Sequence, residues 1–352
     1  MSFIDSVYEK LKRHPKRIVF PEGTDARVLE AARQYIDMGL GPAVLLGKRA
    51  EIEKAAARSN VKLDRLTLVD PETSSDMETF CKRLERLDRF RNLGIDNARE
   101  MLLNNNYFAA MMLQNGLVDG LVGGVSEYSG ALLRPLIQLV KRLPHTDLIS
   151  SCMIVESPNK SVGDNGVLFF ADCAVIPEPG ADQLAMIAIQ TGMLARQLFG
   201  ATPRVAMLSF SSKRSAVTNH TEKVAAATAM ARHLASEHHV EMEVDGELQV
   251  DTALLPELAE LKTPGSLVAG QANVLIFPDL NSGNISYKLV QHLGGAHVFG
   301  QILLGLSRPA AELSRGTRPQ DIVSVAAIVG LQAIEYRKLY PTVESENLGY
   351  QS

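Results

Sequence analysis

Short apolar runs alternate along this chain with segments in which apolar residues recur every three or four positions. Arg17-Ile18-Val19-Phe20 ends in Pro21-Glu22-Gly23. Thr24 or Asp25 can cap the next segment, where Val28, Leu29, Ala32 and Ile36 fall on one helical face, so these residues predict a βα unit. The same pattern predicts buried strands over 43–46, 117–122, 148–155, 167–171, 205–210, 274–277 and 298–304, each beside a helical pattern, and a strong final helix over 321–340. Strands that are apolar throughout and alternate with helices imply α/β layers with largely parallel strands. No internal repeat or low-complexity tract interrupts the series, and the break between domains is placed near residue 148, just after the loop Arg142-Leu143-Pro144-His145.

Composition narrows the classes. A chain of 352 residues holds about two domains at ~150 residues each. Thirty-six Lys and Arg against 40 Asp and Glu leave a net charge of −4, which argues against nucleic acid or an anionic membrane as a bulk partner. Tryptophan is absent, which disfavours stacking platforms for bases or sugars. Cys81, Cys152 and Cys173 fit neither a disulfide framework nor a metal site, so a reducing cytoplasm is expected. The amino-terminal residues are charged, and no apolar run reaches the ~18 residues of a membrane span.

Phosphate-loop, dinucleotide, zinc-protease, nucleophile-elbow and EF-hand motifs are all missing. In their place, four polar loops follow predicted strands or lead into helices, where open α/β sheets place ligands. Residues 123–130, Gly-Gly-Val-Ser-Glu-Tyr-Ser-Gly, lead into a helix bearing Arg134, and their amides and hydroxyls suit an anion or else a plain tight turn. Ser209-Phe210-Ser211-Ser212-Lys213-Arg214-Ser215 offers hydroxyls and cations to phosphate oxygens, or forms a solvated loop. Residues 277–284 set Asp279, Asn281 and Asn284 after a strand, more polar side chains than a turn requires. In residues 313–321, Thr317 and Gln320 read as a capping box with Pro319 in the first turn, which leaves Ser314, Arg315 and Asp321 together at a helix start. A hydroxyl donor, a fixed cation and a carboxylate within eight residues suit acyl or phosphoryl transfer. The basic stretch 82–91 reads mainly as an exposed helix face, His238-His239 as a solvated helix end, and Cys173 as an inert core thiol.

Taken together, the segments Val19-Phe20-Pro21-Glu22-Gly23 with Arg27, Asp119-Gly120-Leu121-Val122 with Arg134-Pro135, Phe169 to Ala174, Leu208 to Ser211, Val244 to Gln249, Asn273 to Asn281, and Leu313 to Gly316 followed by Asp321 resemble phosphate acetyltransferases. The resemblance runs from about Arg17 to Leu339. It implies reversible transfer of acetyl between coenzyme A and phosphate, with coenzyme A and acetyl-CoA as substrates and no tightly bound cofactor or metal. It also implies two α/β/α domains with a cleft between them, as in isocitrate and isopropylmalate dehydrogenases. Residues 1–148 plus 316–352 would form the first domain, and 149–315 an inserted, dimer-forming second domain, giving a homodimer.

Carried over by motif, Asp321 is the general base for the thiol, Ser314 a hydrogen-bond donor to the transition state, and Arg315 the cation on acetyl phosphate. Arg134 and Arg89 match phosphate-binding arginines, Arg91 being a rival to Arg89. Ser129, Ser211, Lys213 and Asn281 complete the expected substrate contacts. Glu127-Tyr128-Ser129-Gly130 departs from the usual run after the Gly-Gly turn, with Glu127 adding negative charge and Tyr128 bulk near the expected anion site, which keeps two alternatives open: a longer acyl group such as butyryl, or a non-catalytic acetyl-CoA or acyl phosphate sensor. The chemistry makes a demand of its own, because a thiol near ~8.5 and an Asp near ~3.9 differ by about 6 kcal/mol against full proton transfer.

Overall fold

The computed structural model describes residues 2–87, 90, 94–144 and 146–339. The chain forms two compact units, one from residues 1–141 with 306–352 and the other from residues 142–305. The sequence places these breaks near 148 and 315.

In the first unit, helix α1 (Phe3–Arg13) opens on a reciprocal cap between Ser2 and Asp5, and buries Phe3, Val7 and Leu11. Then follow β1 (Ile18–Phe20), α2 (Ala26–Asp37), β2 (Ala43–Leu46), α3 (Arg49–Arg58) and β3 (Thr67–Val69). Next come α4 (Met77–Arg86), α5 (Ile95–Leu102), α6 (Asn105–Gln114), β4 (Gly120–Gly123) and α7 (Ser129–Leu139). The chain returns to this unit with β11 (Ala310–Glu312) and α13 (Pro319–Leu339). The strands lie in the order β3-β2-β1-β4-β11, and every neighbouring pair is parallel. The order reverses between β1 and β4, so their carboxyl ends form a switch point, where such sheets leave room for ligands.

Helix α13 packs on β4 and β11 and against α1 and α2, and its middle, residues 322–333, is buried on every side and mostly apolar. Close approach to β4 depends on Gly120, where a Cβ would stand 2.4 Å from Val329 Cγ1. On α4 the apolar face Met77, Phe80, Cys81 and Leu84 is buried, which leaves its basic residues toward solvent.

The second unit carries β5 (Ser150–Glu156), β6 (Val167–Ala171), α8 (Ala181–Phe199), β7 (Arg204–Leu208), α9 (Asn219–Glu237) and β8 (Glu243–Leu248). The helices α10 (Val250–Leu254) and α11 (Pro256–Lys262), then β9 (Val274–Ile276), α12 (Leu280–His292) and β10 (His297–Leu304), complete it. Its strand order is β10-β5-β6-β9-β7-β8. The pairs β10–β5 and β5–β6 are antiparallel and the others parallel. The expectation of largely parallel strands therefore holds, with all four pairings in the first unit and three of five in the second parallel, while the two antiparallel pairings, β10–β5 and β5–β6, stand side by side. Apolar runs buried on both faces look alike in either direction, so the pattern carries no sign of strand polarity.

Here Asp172, 2% exposed, closes the loop after β6. Its Oδ1 accepts from the amides of Ser151 (3.2 Å), Ala174 (3.0 Å) and Val175 (3.2 Å) and from the Ser151 hydroxyl, and its Oδ2 accepts from the amide of Ile176 at 2.8 Å. Cys152 and Cys173 are buried nearby, and burial pushes both thiols up, in keeping with inert core cysteines.

Candidate active site

Three loops meet at the carboxyl ends of β1, β4 and β11 in the first unit. The loop after β1 places Glu22, and Asp25 caps α2 by accepting from the amide of Arg27 at 2.9 Å. The loop after β4 runs Gly124-Val125-Ser126. The loop after β11 carries Ser314 and Arg315 and leads to Asp321 in the first turn of α13.

Glu22 occupies the amide cradle that the sequence offers to a substrate anion. Its Oε2 accepts from the amides of Gly124 (2.9 Å) and Val125 (3.2 Å), and its Oε1 from the amide and the hydroxyl of Ser126, both at 2.8 Å. The glycine-rich turn therefore binds a carboxylate from its own chain. Glu127, whose charge the sequence placed beside a substrate anion, has its Oε2 2.8 Å from the Nδ2 of buried Asn106.

Arg27 spans the three loops. Its Nε and Nη2 reach Asp25 Oδ1 (3.0 Å) and Oδ2 (2.8 Å), Nη2 also donates to the carbonyl of Val125 at 2.8 Å, and Nη1 donates to the carbonyl of Arg315 at 2.5 Å. Burial pushes the Asp25 carboxyl up, but the hydrogen bonds from Arg27 outweigh it and hold that carboxyl below the usual carboxylate range.

At the third loop, Ser314 Oγ lies 3.2 Å from Thr317 Oγ1, and the Thr317 hydroxyl and amide donate to the carbonyl of Ser314 at 2.7 and 3.0 Å. Pro319 is the first residue of α13, so the capping position falls on Arg318. The expected capping box is corrected accordingly: Thr317 lies one residue outside it and shapes the Ser314 turn instead. Asp321 is 18% exposed in its side chain, and its Oδ2 accepts from Arg318 Nε at 3.0 Å. That bond holds the Arg318 guanidinium above its ordinary value. Tyr8 of α1 faces the same turn, with its hydroxyl 2.8 Å from Ser324 Oγ. Burial pushes that phenol up, and the charge of Asp321 adds to the effect.

Arg134 is exposed on α7. Its charge acts on Tyr107, whose phenol burial pushes up while Arg134 pulls it the other way. Ser129 opens α7. Arg89 and its rival Arg91 lie outside the described residues. Ser314 and Arg315 thus lie in the loop after β11 and Asp321 in the first turn of α13, beside the switch point.

The second-unit candidates have partners of their own. Ser211 is fully buried, with its hydroxyl 3.1 Å from Ser215 Oγ and 3.3 Å from Glu247 Oε1. Lys213 pairs with Asp245 and donates to the carbonyl of Gly246 at 3.2 Å. Both side chains thus have partners within the fold. Asp279 caps α12 by accepting from the amide of Ser282 at 2.8 Å, and Asn284 donates to the carbonyl of Cys173 at 3.0 Å, which leaves Asn281 exposed on the first turn.

Sequence reasoning missed Glu22, Arg27, Asn106 and Arg318 as site residues. Glu22 and Arg27 stand inside a quoted motif, but a turn and a helix start explained them locally. Among the described residues no group of His, Cys, Asp or Glu side chains is arranged to hold a metal ion, and no helix is long and apolar enough to cross a membrane.

The sequence profile described as "Phosphate acetyl/butaryl transferase" matches residues 2–330. The chain is 45% identical over 333 residues to a phosphate acetyltransferase of Thermoanaerobacterium thermosaccharolyticum, a match covering 95% of this chain and all of that one. A phosphotransacetylase structure from Streptococcus pyogenes superposes with a TM-score of 0.87 at 36% identity, covering 95% of this chain and 100% of the other. One from Staphylococcus aureus gives 0.86 at 34% identity, covering 94% and 98%. A profile match over nearly the whole chain, with relatives matched end to end, shows that the chain belongs to the phosphate acetyl/butaryl transferase family.

Proposed function

We propose that this protein is a phosphate acetyltransferase, moving acetyl reversibly between coenzyme A and phosphate in a ternary complex. The observation that carries the reading is the loop after β11, which bears Ser314 and Arg315 and leads into Asp321 in the first turn of α13, next to the β1/β4 switch point. In the direction of acetyl-CoA formation, Asp321 takes the thiol proton and the sulfur attacks the acetyl carbonyl carbon. The bond from that carbon to the phosphate oxygen then breaks and phosphate leaves. Ser314 and Arg315 donate to the oxygens on which charge grows, and Arg134 holds the phosphate group. Coenzyme A and acetyl-CoA are substrates in this scheme. The purified protein is expected to release free thiol from acetyl-CoA only when phosphate is added; no release from folded protein would sink the reading.

We read the two units as α/β/α domains of the isocitrate and isopropylmalate dehydrogenase type, the second inserted into the first. The second also supplies a homodimer contact. Support for the dimer comes from α12 and the residue that caps it, where Ile285, Leu289 and Leu293, spaced four apart, are 54%, 50% and 81% exposed. Sedimentation should give twice the chain mass, and a monomer would remove this part of the reading.

The ion pair between Arg318 and Asp321 sets a pH expectation. A neighbouring cation favours the charged carboxylate, so removing it makes Asp321 easier to protonate. Arg318→Gln should move the acidic limb of the kcat/KM profile to higher pH, by an amount that solvent screening keeps modest because Arg318 is two-thirds exposed. An unmoved limb would mean that Asp321 is not the group titrating there.

A further inference from the structure

We infer that Glu22 is a positioning residue, holding the Ser314–Arg315 turn in register with the loop after β4. This rests on the functional reading above. Four donors converge on the Glu22 carboxylate from three consecutive residues, Gly124, Val125 and Ser126. A carboxylate meets that demand because it only accepts, whereas a neutral amide would turn a second donor toward the same N–H groups.

The loop so held is laced to the catalytic turn. The carbonyl of Gly123 accepts from the amide of Leu313 at 2.7 Å, one residue before Ser314. Arg27 then joins the carbonyls of Val125 and Arg315 through one guanidinium. Gly124, at φ +105°, lets the two backbones touch: a Cβ there would lie 2.8 Å from the carbonyl oxygen of Leu313. The path from Glu22 to Ser314 and Arg315 is therefore a short run of hydrogen bonds with glycine at its crowded point. Glu22 does not itself reach the reacting atoms in this scheme. It also explains why recognition of the substrate phosphate falls to arginines: the amides suited to an anion are already filled.

The test uses the full chain and has two arms. Peptides covering residues 123–127 and 313–318 are followed by hydrogen–deuterium exchange in the wild type and in Glu22→Gln. Exchange should speed up by about tenfold in both peptides. Acceleration confined to residues 123–127 would overturn the positioning claim whatever reaction the protein performs. In the second arm, kcat and KM are measured for Glu22→Gln alone and in an Arg315→Ala background. A misplaced Arg315 should lower kcat by about 100-fold with the KM for coenzyme A unchanged, and the same substitution should cost far less once Arg315 is gone. Equal losses in the two backgrounds would show that Glu22 acts on stability and not through Arg315. Should Glu22→Gln fail to fold, Glu22→Asp keeps the charge while shortening its reach, and should give the same ordering with smaller changes. An inactive wild type would refute the functional reading while leaving the exchange result to decide the positioning claim.

Discussion

Replacing Asp321 with asparagine is expected to lower kcat by about 1,000-fold while leaving KM for both substrates nearly unchanged. Asparagine keeps the shape of the side chain and an oxygen that can accept from Arg318, so the first turn of α13 has no reason to move. What is lost is the capacity to take a proton. Uncatalysed deprotonation leaves the thiol mostly unreactive near neutral pH, because its pKa of ~8.5 keeps only a few per cent as thiolate. The demand on Asp321 is steep, since full transfer to a carboxylate is uphill by about 6 kcal/mol at reference values. Proton transfer must therefore accompany sulfur attack, with the amino end of α13 and Arg315 stabilising the growing negative charge. Steady-state kinetics with acetyl phosphate and coenzyme A, together with a melting curve, checks this. Turnover close to wild type would remove Asp321 as the base, and a collapsed melting temperature would assign it to the fold.

The largest loss of stability is expected from Asp172→Ala. The carboxylate is buried and satisfies four backbone amides and a serine hydroxyl, and alanine leaves those donors with nothing to replace it. At about 1–3 kcal/mol for a buried donor left unsatisfied, with partial relief from entering water, the net cost should be about 4 kcal/mol. For a unit of this size that is a fall of roughly 10 °C in melting temperature. Calorimetry of the variant tests it, and a melting temperature within a degree or two of wild type would show that the loop after β6 finds other acceptors. The prediction bears on the second unit alone, because the hydrogen-bond partners of Asp172 among the described residues lie within residues 151–176.

Strands β2 and β6 stand where their apolar runs predict, and β1, β5, β7, β9 and β10 within two residues or so, because a strand buried on both faces writes its length directly into consecutive apolar residues. Three strands left no such mark. β3 (Thr67–Val69) is only partly buried, β8 (Glu243–Leu248) is an edge strand that alternates charge with apolar residues, and β11 (Ala310–Glu312) is three residues long and ends in a buried Glu. At the site, Ser314, Arg315 and Asp321 were legible because they sit within eight residues of one another. Ser211 and Lys213 looked equally chemical, yet their partners Glu247 and Asp245 lie more than 30 residues away, and only folding reveals that these polar groups are already engaged.

The sequence by itself determined the α/β layering, the family, and the local grouping at the start of α13, since each of these is written in short-range periodicity or in contiguous motifs. The tertiary structure decided what fills the glycine-rich cradle. A run of free amides after a strand advertises an anion site but does not say whose anion enters it. Glu22 arrives from about 100 residues earlier in the chain because β1 and β4 are neighbours in the sheet, and strand order is a property of the packed layers that no local pattern encodes.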